Sequence, residues 1–128
     1  MTDAKSITEL VAFQQLDGAV TGATVYQDAP EGAMLPIVVV GDMKSTPIGG
    51  KGDRDRRISL LIQAEVSAEE RAPLLALQKQ IEDALDGLTI AQDGWTLAFT
   101  FEDDDAQLGE DGGTYIGTSA FAVLALQD

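Results

Sequence analysis

The chain has no cysteine and no histidine. Without cysteine there are no disulfides, no thiolate nucleophile and no zinc–sulfur site, a composition that fits a reducing compartment. Without histidine the usual neutral-pH acid/base group and commonest metal ligand is missing. Cations are scarce as well, with eight Lys and Arg against 22 Asp and Glu and a net charge of −14. A charge of that sign repels phosphates and keeps the protein soluble. It also makes self-association costly unless opposite charges meet at the contact. No apolar run approaches membrane-spanning length. The start, Met1-Thr2-Asp3-Ala4-Lys5, lacks the basic region and apolar stretch of a signal peptide. The expectation is a soluble protein made in the cytoplasm, with no membrane partner.

What is present is unevenly placed. Half of the cations, Lys51, Arg54, Arg56 and Arg57, fall within one short stretch. Six acids crowd into Glu102, Asp103, Asp104, Asp105, Glu110 and Asp111. One basic loop and one acidic hairpin on an acidic body point to docking against protein surfaces rather than to chemistry on a small substrate. The 128 residues, 45% of them apolar, fit one domain over 1–128 with one core.

Ser6-Ile7-Thr8-Glu9 has the form of a capping box, and Ile7, Leu10, Val11 and Phe13 or Gln14 follow helical spacing. A helix is predicted over Ile7–Leu16, stopped at Gly18. Thr24-Val25-Tyr26 is a short strand candidate, and Asp28 to Gly32 a turn. Pro36 to Gly41 is a β-branched run that should be covered on both sides. Thr46 to Asp55 reads as loop. Ile58, Leu60, Ile62, Ala64 and Val66 then alternate with more polar residues as the clearest strand. Ser67-Ala68-Glu69-Glu70 is a second capping box, and Leu74, Leu77, Ile81, Ala84 and Leu85 line up behind it, with Gly87 past the end. The start of this helix is open: Ala68 would put Pro73 inside the first turn, Ala72 would put it at a favoured position. Leu88 to Ala91 is a short strand candidate, followed by a turn at Gln92-Asp93-Gly94. Trp95, Leu97, Phe99 and Phe101 line one face of the next strand, and Thr114–Leu126 pairs with it. The acidic connection from Asp103 to Gly113 suggests a projecting arm.

The predicted fold is α+β, an antiparallel sheet of four to five strands with two helices packed on one face and a long projecting β-hairpin. Val38, Val40, Leu61 and Ala98 fall opposite the core stripe, which would leave an apolar sheet face for a partner.

Motifs for chemistry are weak. The basic cluster has no interleaved aromatic, and Asp53 and Asp55 lie inside it, so a solvated loop or a contact to an acidic protein surface outranks nucleic-acid binding. The acidic stretch fails the calcium-loop pattern, with Leu108 where glycine is required and Thr114 where the bidentate Glu should stand. Gly49-Gly50-Lys51-Gly52 lacks the Ser or Thr of a phosphate-binding loop. The Trp95, Phe99 and Phe101 stripe reads as core. No catalytic, cofactor or metal residue is assigned.

Several segments together resemble a known family. Val25-Tyr26, the Pro30/Gly32 turn, Leu35-Pro36-Ile37-Val38-Val39-Val40-Gly41-Asp42, the loop with Thr46, Gly50-Lys51-Gly52 and Arg57, and the alternating strand after it are similar to the tail-terminator, or tail-completion, proteins of long-tailed bacteriophages, prophages and gene-transfer agents. Leu85, Leu88-Thr89-Ile90, Phe99-Thr100-Phe101-Glu102, Asp111-Gly112, Tyr115-Ile116-Gly117 and Phe121-Ala122-Val123 extend the likeness over Leu10–Leu126. The resemblance implies a non-enzymatic virion protein without cofactors. Six copies would form a ring on the head-proximal end of the tail tube. The ring would stop tube growth and present a surface to the head-side connector. DNA would pass through its lumen without specific binding.

On that expectation, an acidic lumen lets DNA slide, because no counterions are released. The basic loop, Lys51, Arg54, Arg56 and Arg57, would meet an acidic hairpin or partner ring. Other readings are a tail tube subunit, a head–tail connector adaptor or stopper, and a small enzyme using carboxylates alone.

Overall fold

The computed structural model describes residues 3–50 and 54–128. The first helix, α1, spans Ala4–Ala19. Its buried residues, Ala4, Ile7, Thr8, Val11, Ala12 and Leu16, recur every three or four positions and form one stripe. The helix begins earlier than Ser6. Asp3 is the N-cap, and its carboxylate accepts from the Ser6 backbone N–H at 2.7 Å. Ser6 therefore stands inside the first turn and the expected capping box does not form. The Ser6 backbone hydrogen bond holds the Asp3 carboxyl below its ordinary pKa. Gly18 lies within α1 and is not its stop; the left-handed residue that turns the chain is Gly22, at φ 86°.

Strand β1, Thr24–Tyr26, lies parallel to β2, Ile37–Pro47. Between them Ala33 donates to the Pro30 carbonyl, and Gly32 supplies the positive φ this turn requires. β2 runs on through Thr46 and Pro47, which the sequence placed in a loop, and pairs antiparallel with β3, Arg56–Ser67. Its register slips between Val40 and Met43. Gly41 sits in that slip, where a Cβ would lie 2.9 Å from the Leu61 carbonyl oxygen.

Helix α2 spans Ala72–Leu85 with Arg71 as N-cap and Pro73 in its first turn, which decides the open question of its start. Ser67 ends β3, so the second expected capping box is also absent. Leu74, Leu77, Gln78, Ile81 and Leu85 face inward, and Gly87 ends the helix at φ 77°. β4, Thr89–Gln92, turns through Asp93 and Gly94, both at positive φ, into β5, Trp95–Leu108. This is the tight hairpin geometry that Asp-Gly favours. β6, Thr114–Gln127, returns beside it.

Among the described residues the sheet has six strands in the order β1-β2-β3-β6-β5-β4. It is mixed rather than purely antiparallel, because the β1–β2 connection crosses back before pairing, and it holds more strands than the four to five predicted. Both helices pack on one face, over a core built from alternate residues of the strands. Val38 and Val40 belong to that core, contrary to the sequence reading that put them on the outer face. The slip after Val40 restores the inward phase at Met43 opposite Leu60.

Gly117 is the close approach between layers. A Cβ there would strike the Gln78 amide and lie 3.0 Å from Leu74 Cδ1. The Gln78 amide in turn donates to the Asp105 carbonyl.

The hairpin of β5 and β6 does not project as a free arm. β3 flanks β6 from Thr114 to Ala125, nearly its full length, so only the turn at 109–113 stands clear of the sheet.

Candidate functional site

Two charged ends are set by the antiparallel pairing of β3 with β6. Arg56 lies opposite Ala125 and Ser67 opposite Thr114. The loop before β3 and the turn before β6 are therefore at opposite ends of the sheet. At roughly 3.3 Å per residue, the 11 steps along β3 separate them by roughly 36 Å.

At the basic end the hairpin between β2 and β3 is closed by Ile48 N donating to the Asp55 carbonyl at 3.4 Å. Asp55 also ties this end to the last strand: its carboxylate accepts from the Gln127 backbone N–H at 2.8 Å. Arg54 is exposed in the loop, and Arg56 donates from Nη1 to the Asp55 carbonyl at 3.3 Å. Arg56 and Arg57 are strand residues, not loop residues, because pairing with β6 begins at Arg56. Arg57 is exposed on the outer face opposite Leu124. Lys51 lies outside the described residues.

The acids form two groups instead of one loop. Glu102, Asp103, Asp104 and Asp105 lie within β5, after the slip between Phe101 and Asp103. β4 covers β5 only from Trp95 to Ala98, so these acids occupy a stretch with no strand on that side among the described residues. Glu110 and Asp111 are in the turn, where the Asp111 carboxylate accepts from the Gly113 backbone N–H at 2.8 Å. The sequence pattern missed this division because the polar run Glu102–Asp105 carries no apolar alternation, yet the backbone continues to pair with β6.

Between the ends, the sheet's outer face carries apolar residues among polar ones such as Arg57, Ser59 and Thr100. Leu61, Ala98, Ala120 and Ala122 are partly exposed there, and Leu124 and Leu126 are 37% exposed each. Arg57, Ala98, Thr100, Ala122, Val123 and Leu124 line a shallow depression on it.

A second depression lies at the acidic end. It has a volume of about 170 Å³ and is lined by Leu35, Pro36, Val66, Ser67, Glu69, Glu70 and Pro73. Met34 beside it is 86% exposed and Leu35 36%. Reading Ser67–Glu70 as a helix cap concealed this groove: those residues form the connection from β3 to α2, and their side chains are left for the surface.

Among the described residues, no group of three or more acids is placed to hold a metal ion, and no helix is long and apolar enough to cross a membrane.

The comparisons with known proteins agree with the fold. The chain is similar to a chain in the solved structure of the virion of a native gene transfer agent particle, with a TM-score of 0.81. The two share 19% identity, over 91% of this chain and 92% of that one, which makes the likeness one of fold. Among curated proteins none matches. The family model described as tail completion protein gp17 matches residues 7–125, nearly the whole length, and the chain belongs to that tail-completion family.

Proposed function

We propose that this chain caps the head-proximal end of a tail tube as a ring, ends tube growth and forms the surface to which the head attaches. The observation that carries the reading is the family match over residues 7–125, which makes this a tail-completion protein of the virion. The two oppositely charged ends support it. A subunit at −14 needs local attraction to join its copies, and a basic end roughly 36 Å from an acidic one supplies that attraction only between molecules. On this reading the protein is structural and non-enzymatic, works as a single domain without a cofactor, and sits between the tail tube protein and a head-side connector protein. The ring is a hexamer. Acidic residues facing the lumen keep passing DNA from sticking, since no cation is there to displace counterions. Arg54, Arg56 and Arg57, with Lys51, serve the subunit or partner contact, and Glu102 to Asp105 with Glu110 and Asp111 face a neighbour or the lumen.

The test is electron microscopy of the purified chain, alone and mixed with polymerising tail tube subunits. Discrete rings, and tubes closed at one end, are expected. Long tubes grown from this chain alone would identify a tube subunit instead. Tubes that lengthen as though the chain were absent would refute the capping role.

A further inference from the structure

We infer that the open edge of β2 in one copy pairs antiparallel with the open edge of β5 in a second copy, a contact that rests on the ring reading above and gives it a register. β1 covers β2 only from Ile37 to Val39, so among the described residues no strand flanks β2 on that side over 41–47. β4 covers β5 only from Trp95 to Ala98. Next to it the Gly87 N–H donates to the Phe99 carbonyl, the Phe99 N–H to the Leu88 carbonyl and the Phe101 N–H to the Asp86 carboxylate. Residues 102–108 then have no neighbouring strand on that side among the described residues, over a stretch as long as the open one of β2. The two edges lie on opposite sides of the sheet with β3 and β6 between them, so three spacings of about 4.8 Å keep them apart within one molecule.

Backbone direction, face and charge select the register. β5 runs opposite to β2 across three antiparallel pairings, so a copy set alongside in the same orientation presents its β5 antiparallel to β2. Ile48 donates to Asp55 across the β2–β3 hairpin, so by alternation Met43 and Ser45 turn their N–H and C=O groups to the open side. Gly109 donates to Thr114 across the β5–β6 hairpin, so Asp104 and Ala106 do the same. Setting Met43 against Ala106 and Ser45 against Asp104 joins these groups. It also matches faces, since Met43 and Ala106 both pack against the helix-covered core. Lys44 then stands opposite Asp105, both exposed on the outer face, in the closer kind of cross-strand pair. Asp42 meets the uncharged Gln107, and Pro47, with no N–H to offer, falls at Glu102 where the pairing ends. A slip of two residues one way sets Asp42 against Asp105; the other way sets Lys44 against Gln107. Within one molecule Lys44 is level with Ala122 through Ser59, and Asp105 with Thr118. The second copy is therefore staggered by four residues, roughly 13 Å, and a closed sheet requires stagger of this kind. Each copy offers one edge of each sort, so the contact repeats head to tail and closes into a ring when its rotation permits.

Disulfide trapping tests the contact, and a chain without cysteine makes introduced ones unambiguous. Lys44→Cys and Asp105→Cys are made as separate chains and mildly oxidised, alone and mixed, with and without tail tube subunits. The mixture should give a covalent dimer on a non-reducing gel, and each variant alone should stay a single chain. A chain carrying both substitutions should give a ladder of covalent multiples, since its own two cysteines, roughly 14 Å apart across the sheet, cannot bridge. Ser45→Pro removes an N–H that faces the open edge, where a proline is tolerated by the fold. Added to the doubly substituted chain, it should abolish the ladder while circular dichroism stays native.

A mixture that yields no dimer overturns the inference. So does either single variant linking to itself as readily as to the other, or a ladder that survives Ser45→Pro in folded protein. If the mixed dimer forms but the native chain does not cap tubes, the contact stands and the proposed function fails. If the native chain caps tubes and no mixed dimer forms, only the contact is lost and the two edges serve another protein.

Discussion

Two adjacent positions of β6 make a sharp test of which sheet face is core. Val123 is fully buried between Ile58 and Phe99, whereas Leu124 is 37% exposed between Arg57 and Ala98. Val123→Asp removes about 1.5–3 kcal/mol of apolar burial. It also forces a carboxylate into the helix-covered layer, at several kcal/mol more. The sum is about 5 kcal/mol or greater, comparable with the whole stability of roughly 5–15 kcal/mol expected for a domain. Leu124→Asp forfeits only about 1 kcal/mol, because the side chain keeps its access to water. Arg57 directly opposite would return about 0.2–1 kcal/mol as a cross-strand ion pair. Urea unfolding followed by far-ultraviolet circular dichroism should therefore show Val123→Asp unfolded or close to it in buffer. Leu124→Asp should keep the native slope, with its midpoint displaced by about 1 kcal/mol of stability or less. Equal destabilisation of the two variants would refute the assignment of faces, as would a Val123→Asp protein with a native midpoint.

The remaining predictions concern single contacts. Gly117→Ala should destabilise by about 1–3 kcal/mol in the same urea assay, since the new methyl must displace the Gln78 amide from the Asp105 carbonyl. Asp3→Ala should cost about 0.5–2 kcal/mol in thermal melts at neutral pH, and Asp3→Asn much less, because Asn also caps. The Asp3 carboxyl has a lowered pKa in the fold, so its contribution is complete above the ordinary carboxylate value and disappears as pH falls through the depressed one; Asp3→Asn should flatten that acid limb. Lys79→Ala, which breaks an exposed i,i+4 pair with Asp83, should change stability by about 0.5 kcal/mol or less.

Much of the fold was legible because burial follows period. Ile58 through Val66 alternates strictly, and every second residue is in the core. Trp95, Leu97 and Phe99 do the same in β5, and Asp93-Gly94 marked their turn. Capping signals misled because they are local and two were available. Asp3 competes with Ser6 for the first turn of α1 and wins, letting the helix bury Ala4. At Ser67 the ladder with Thr114 holds the residue in β3, so tertiary pairing overrides the local preference. The parallel placement of β1 had no signal in three residues, since nothing in Thr24-Val25-Tyr26 distinguishes parallel from antiparallel pairing. Of the candidate residues, the clusters could be read from charge alone. The register was needed to set the basic loop and the turn carrying Glu110 and Asp111 at opposite ends of one sheet, and it moved Arg56, Arg57 and Glu102 to Asp105 into strands, the four acids near the sheet's middle.

That placement gives the acids of β5 a second consequence. An uncovered strand invites any other strand to pair with it. From Glu102 on, β5 lacks a neighbour on one side among the described residues, and its Asp103, Asp104 and Asp105 make an approaching acidic copy of the same edge repel. The Gln78 amide already occupies the Asp105 carbonyl, so the backbone there is partly closed as well. The other outer strands are short, three residues in β1 and four in β4. Wrong edge-to-edge contacts are thus disfavoured by charge and by length together.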